Sequence, residues 1–159
     1  MQEPVKTPEL SNTDKERLTQ AGIDLEMKNR CGSYLQMDQD MVHAACDESG
    51  IEVLPYKKAL EKYTWLQEYS WKAVSPDKDD ITRYVAAQKD PNGYVIIAHK
   101  GTNNIFPIQA CLFLGREQIQ HVHNIIIAEE GAELHIISGC ASGEKVGHGA
   151  AHYGISEFY

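Results

Sequence analysis

The sequence predicts an α+β protein, with short helices and a mixed region first and stacked β-structure after. Three observations carry this. Apolar residues at helical spacing are confined to the part of the chain before residue 74. From residue 80 onward the apolar residues come in runs of strand length. Between Val122 and Ser138 an apolar strand, a Glu-Glu-Gly-Ala turn and a second apolar strand read as one rung of a stack, and the last such segment ends at Tyr159 with no closing turn or cap. Stacked repeats bury their core between neighbours and need capped ends. The chain therefore reads as the N-terminal piece of something longer, either an excerpt or a natural truncation.

Residues 1–12 are polar, contain two prolines and read as a flexible tail. Thr13 followed by Glu16 is a capping-box pattern, which starts a helix from Asp14 to about Ala21, with Gly22 as its stop. Ser33–Cys46 opens with strand alternation, Tyr34, Gln36 and Asp38 against Leu35 and Met37; its second half fits strand or helix, with strand the preferred reading. Pro55 opens a helix, because proline's missing N–H costs nothing there. Tyr56, Ala59, Leu60 and Tyr63 form its apolar face, and Trp65, Leu66, Tyr69 and Trp71 carry it to about Ala73. Ser75-Pro76-Asp77 ends it, and its aromatic stripe is core packing.

The period then changes. Asp80–Lys89 and Gly93–His99 read as strands flanking a hairpin turn, Asp90-Pro91-Asn92-Gly93. Pro107–Leu114, Val122–Ala128, Ala132–Ser138 and His152–Phe158 are further strands. The organisation is thus a tail over 1–12, a helical and mixed region over 13–79 and a β-rich region over 80–159.

A formal charge of −8 speaks against nonspecific binding to nucleic acid or to an anionic membrane, which needs clustered Lys and Arg. No apolar run approaches the roughly 20 residues of a membrane span. The N-terminus lacks a basic-then-apolar signal sequence. Cys31, Cys46, Cys111 and Cys140 are widely spaced, with no Cys-x-x-Cys pair, as in reduced thiols of a cytoplasmic protein.

Cys140 sits among small residues just past a strand, where another molecule can reach a sulfur. Lys145 and His148 would lower its pKa if they fold back onto it. His121 and His123 form a His-x-His pair whose imidazoles project to one side of a strand and could share a metal. With Gly115 they reproduce the opening of the cupin metal motif, but Glu129 follows one residue too late, which puts it on the opposite face. The second cupin motif is poorly matched: Gly147 stands for its proline and Ser156 for its asparagine. A cupin-like metal enzyme using His121 and His123, with His152 as a third candidate, is therefore the alternative reading. Gly139–Gly149 fits no phosphate loop.

Three long segments carry a more specific signal: Phe-Pro-Ile-Gln-Ala-Cys at 106–111, Val-His-Asn-Ile-Ile-Ile-Ala-Glu-Glu-Gly-Ala-Glu-Leu-His-Ile-Ile-Ser-Gly-Cys-Ala at 122–141, and His-Tyr-Gly-Ile-Ser-Glu-Phe-Tyr at 152–159. With residues 33–38, 60–66 and 71–74, they resemble the SufB/SufD family of iron–sulfur cluster assembly proteins, in the flavour of the shorter SufB-like proteins of methanogenic archaea. The resemblance implies a small α/β region followed by the first coils of a right-handed parallel β-helix. It implies a non-catalytic scaffold that accepts or channels sulfur for cluster building. Cys140 is then the sulfur acceptor and His152 a supporting residue. The implied partners are a SufC-like ATPase, a SufB- or SufD-like subunit and a sulfur donor protein. Family members are more than twice this length. Their cluster-site residues and SufC-docking helices lie in the C-terminal portion, so the iron–sulfur cluster belongs to the full-length family and this chain alone is expected to hold none.

Overall fold

The computed structural model describes residues 10–89, 92–116 and 119–159. The first helix, α1 (Asn12–Gln20), starts slightly earlier than the sequence pattern suggests, because Ser11 and not Thr13 caps it. The Ser11 hydroxyl accepts the Asp14 N–H at 3.1 Å. The stretch 33–46 is indeed strand, folded into a hairpin of β1 (Gly32–Met37) and β2 (Asp40–Cys46). A short strand that the sequence reading missed, β3 (Ile51–Pro55), runs directly into α2 (Tyr56–Lys62).

The second helix is shorter than its aromatic stripe implies. It gives way to a 3-10 turn at Thr64–Glu68, and Trp71 takes a left-handed backbone conformation with φ 60°. The segment expected as a strand from Asp80 is α3 (Asp80–Ala86). Its start is fixed reciprocally: the Asp79 carboxylate accepts the Thr82 N–H at 2.8 Å, and the Thr82 hydroxyl oxygen accepts the Asp79 N–H at 2.9 Å. The expected hairpin is therefore absent, and Asp90 and Pro91 of its turn lie outside the described residues. The remaining strands are β4 (Tyr94–Ala98), β5 (Ile108–Leu114), β6 (Ile119–Ala128), β7 (Ile136–Ser142) and β8 (Ala151–Phe158).

The eight strands form two four-stranded sheets, ordered β2-β1-β5-β7 and β3-β4-β6-β8. Each begins with an antiparallel pair, β2/β1 or β3/β4, and continues in parallel. From β4 onward the chain alternates between the sheets. The α+β class holds, but the expected coils of a parallel β-helix do not form. The sheets are separate, mixed and neither closed nor coiled. The two apolar segments around Glu129-Glu130-Gly131-Ala132 enter different sheets that face each other across the core.

Strand alternation builds three apolar layers. Tyr34, Ile96, Ile108, Leu112, Val122 and Ile126 fill the space between the sheets. Leu35, Cys111 and Phe113 point out of the first sheet and are covered by Leu18 of α1 with Ile23 and Met27. Val95, Ile97, Ile125 and Ile127 point out of the second sheet beneath Tyr56, Ala59 and Leu66. Strands β4 and β5 are buried along their whole length, which explains the unbroken apolar sequence of β4 and a β5 whose one polar residue, Gln109, is fully hydrogen-bonded. Strands β7 and β8 are edge strands, as β2 and β3 are at the opposite ends, and the residues of β7 and β8 alternate between shelter and solvent. No helix among the described residues is long and apolar enough to cross a membrane.

Candidate functional site

The outer parallel strands place Cys140 and His152 on one cleft. Cys140 lies on β7 opposite Leu112 of β5. His152 lies on β8 opposite Gln120 of β6. The cleft, about 460 Å³, is lined by Leu112, Gln120, Cys140, Val146, His148 and His152, with the small residues of 147–150 forming its lip. Cys140 is exposed.

Gln120 sets the chemistry of His152. The Gln120 side chain is fully buried, and its Nε2 donates to the carbonyl oxygens of Asp38 at 2.6 Å and Phe113 at 3.3 Å. Its Oε1 must then accept, so His152 Nδ1, 2.9 Å away, carries the proton. His152 Nε2 is left with a free lone pair and lies over Gly154. Burial pushes the His152 pKa below its ordinary value, which keeps the ring neutral.

The Cys140 thiol differs from the sequence expectation. Partial burial pushes its pKa up, not down. Lys145, expected to lower it, instead borders a separate hollow beside Asp14 and Asp38, while His148 remains on the cleft. The site therefore presents a thiol on one cleft with the neutral imidazole of His152.

His121 and His123 also share a pocket, as strand periodicity requires. It is smaller, about 220 Å³, and its walls include Tyr56, Trp71 and Asn92. His123 is committed to a buried partner. Its Nε2 lies 2.7 Å from Glu157 Oε1, and its ring packs on Trp71 at 4.3 Å between centroids. His121 meets Tyr84 edge-on. Glu129, the carboxylate nearest to the cupin pattern, is elsewhere, 3.3 Å from His99 and accepting the Lys100 N–H. Among the described residues no three His, Cys, Asp or Glu side chains are grouped to hold a metal.

Sequence reasoning missed Glu157. Its carboxylate is 0% exposed and accepts the N–H groups of Trp71, Ala73 and Val74 at 2.7–3.1 Å and the Tyr159 hydroxyl at 2.9 Å. Burial alone would raise its pKa, but the hydrogen bonds from His123, the backbone and Tyr159 outweigh burial and hold it below the ordinary carboxylate value. Burial pushes His123 down against the pull of Glu157. The pair is therefore an anion accepting from a neutral Nε2–H imidazole. This gathering of backbone donors ends the helical run before Trp71.

No family model matches the chain. It is 43% identical over 162 residues to a protein of Methanothermobacter thermautotrophicus named an iron–sulfur cluster assembly SufBD family protein, a match covering 99% of this chain and 39% of the relative. It is 47% identical over 146 residues to a protein of the same name from Archaeoglobus fulgidus, covering 92% of this chain and 39% of that one. A SufBD family protein of Pyrococcus horikoshii is 27% identical over 153 residues. The chain spans about two fifths of the length of the first two relatives.

Proposed function

Because the chain belongs to the SufBD family of iron–sulfur cluster assembly proteins, we propose that it forms the N-terminal part of an assembly scaffold and that Cys140 accepts sulfur for cluster building. The observation that carries this is the exposed Cys140 thiol on a cleft shared with His152, whose Nε2 lone pair is free to take a proton. The donor would be a protein persulfide, R–S–SH. Cys140 loses its proton and its sulfur attacks the outer sulfur of the donor; a new S–S bond forms on Cys140, the donor's own S–S bond breaks, and R–S⁻ leaves and takes up a proton. The neutral imidazole of His152 supports that proton movement. A SufC-like ATPase, a SufB- or SufD-like subunit and a sulfur donor protein in the cytoplasm are the partners this reading calls for. It gives this chain sulfur acceptance and not cluster ligation.

The test is persulfide loading from a cysteine desulfurase supplied with cysteine, read as a gain of one sulfur atom on the Cys140 peptide. Cys140→Ser should abolish loading while leaving the circular dichroism spectrum unchanged. His152→Gln should slow loading on the order of tenfold or more without changing its endpoint. Undiminished loading of the Cys140→Ser protein would reject the assignment.

A further inference from the structure

Two thiols remote from the cleft are built to meet. Cys31 immediately precedes β1, and Cys46 ends β2. In the β1–β2 register it is Gly32, the neighbour of Cys31, that faces Cys46. A Cβ at Gly32 would lie 3.1 Å from Cys46 Sγ, tighter than ordinary van der Waals contact, so the missing side chain makes the space that this sulfur uses. Both cysteines pack on the core between the sheets, Cys31 buried and Cys46 half-buried.

The backbone holds Cys31 on both sides. Its N–H donates to the Pro107 carbonyl and its own carbonyl accepts the Asp47 N–H, each at 3.2 Å. Asn104 then aims a donor at the sulfur. Its Oδ1 accepts the His135 N–H at 3.2 Å, which fixes the amide, and its Nδ2 points to the Phe106 carbonyl at 2.8 Å and to Cys31 Sγ at 3.5 Å. Asn104 is 1% exposed, so this orientation is locked. The neighbouring Cys46 thiol favours the Cys31 thiolate, and Cys31 in turn disfavours that of Cys46. Burial opposes the first effect and adds to the second; the Glu48 charge disfavours both thiolates, while the Glu48 backbone N–H favours that of Cys46.

A pair of neighbouring thiols at the open end of one hairpin, with a fixed amide donor aimed at one sulfur, suits thiol–disulfide exchange more than packing. We propose that Cys31 and Cys46 are a redox-active dithiol that forms a reversible intrachain disulfide on reaction with a disulfide oxidant. One thiolate attacks R–S–S–R, giving a mixed disulfide and R–S⁻. The second sulfur then displaces the remaining R–S⁻. The two cysteines lose two protons and two electrons, and R–S–S–R is reduced to two R–SH. This site is independent of Cys140 and does not rest on sulfur acceptance there.

The probe is glutathione, oxidised and reduced, in buffers of graded ratio, followed by alkylation and peptide mapping. The expected product is a Cys31–Cys46 cross-linked peptide lighter by two hydrogens, formed while the protein stays folded and reversed by reduced glutathione. Cys46→Ser should abolish the cross-link. Gly32→Ala keeps both thiols but displaces Cys46 Sγ, and should shift the midpoint to more oxidising buffer. The proposal is overturned if wild-type Cys31 and Cys46 stay fully alkylatable across the series, if they carry only separate glutathiones, or if the cross-link appears only in urea-unfolded chain.

Discussion

Replacing Glu157 with glutamine is expected to destabilise the protein by about 3–5 kcal/mol, because at least two hydrogen bonds to its buried charge, worth roughly 1.5–3 kcal/mol each, are lost. The shape is conserved, so packing alone predicts little change. The chemistry is not conserved. The carboxylate accepts from three backbone N–H groups, a hydroxyl and an imidazole, and an amide turns one acceptor into an NH₂ facing those donors. At roughly 2–4 °C per kcal/mol for a chain of this size, the melting temperature should fall by about 6–20 °C. The loop around Trp71 should loosen first, read as faster amide exchange at Trp71, Ala73 and Val74.

The same pair sets a pH dependence. Glu157 is held below its unfolded value, so its contribution is full above an unfolded pKa of about 4.3 and is lost as pH falls through the folded value. His123 is also held below its unfolded value. Its neutral form is the one the fold accepts, so stability declines as pH drops below about 6.5. Urea unfolding of the wild type should show loss of stability in these two stages. Glu157→Gln should lack the lower one, and an unchanged profile in the variant would remove Glu157 as its source.

Gly93→Ala is expected to be at least as damaging, on the order of 4 kcal/mol, because backbone strain and overpacking add. Gly93 has φ 118°, and a Cβ there would lie 2.3 Å from the His123 carbonyl oxygen and 2.6 Å from Asn124 Oδ1. Neither atom can retreat easily. The Asn124 side chain accepts the Tyr94 N–H, and the His123 N–H donates to the Asn92 carbonyl. The Gly93 carbonyl is itself a junction, accepting the Tyr34 hydroxyl at 2.8 Å and the Tyr56 N–H at 2.9 Å, so displacement would disturb both sheets and α2 together. Gly101→Ala is the matched control. Its φ is 72° with nothing within 4 Å of the added Cβ, so only strain remains, about 1 kcal/mol. Equal losses at the two positions in chemical denaturation would refute the overpacking argument.

Local patterns made the buried strands legible. Ile108–Leu114 and the Ile125-Ile126-Ile127 run of β6 are apolar on both faces, and no other element of that length accommodates them. The helix after Asp79 was not legible as such. Ile81, Arg83 and Val85 alternate like a strand, but Thr82 and Val85 are the residues it buries, and the Asp79–Thr82 cap decides the matter. The arrangement of the strands could not be read either, because one strand's sequence does not say which sheet it joins. The Cys140 cleft was half visible: small neighbours left room around the sulfur without deciding its exposure, whereas Gln120, which fixes His152, looks like any polar strand residue. Glu157 was hidden because its partners are backbone amides more than eighty residues earlier.

The alternation of the chain between two sheets also bears on how the protein is made. Strand β1 finds one neighbour at once in β2, but its other, β5, pairs Gly32 with Ile108, far along the chain. Strand β4 likewise waits for β6. Closing such long loops is entropically costly before any contact repays it, and pairings of this kind slow folding. The first hairpin should therefore emerge early and stand alone while the ribosome supplies its partners. For that interval its apolar faces lie open to water and to chaperones, and the two sheets lock together only when β5 and β6 arrive.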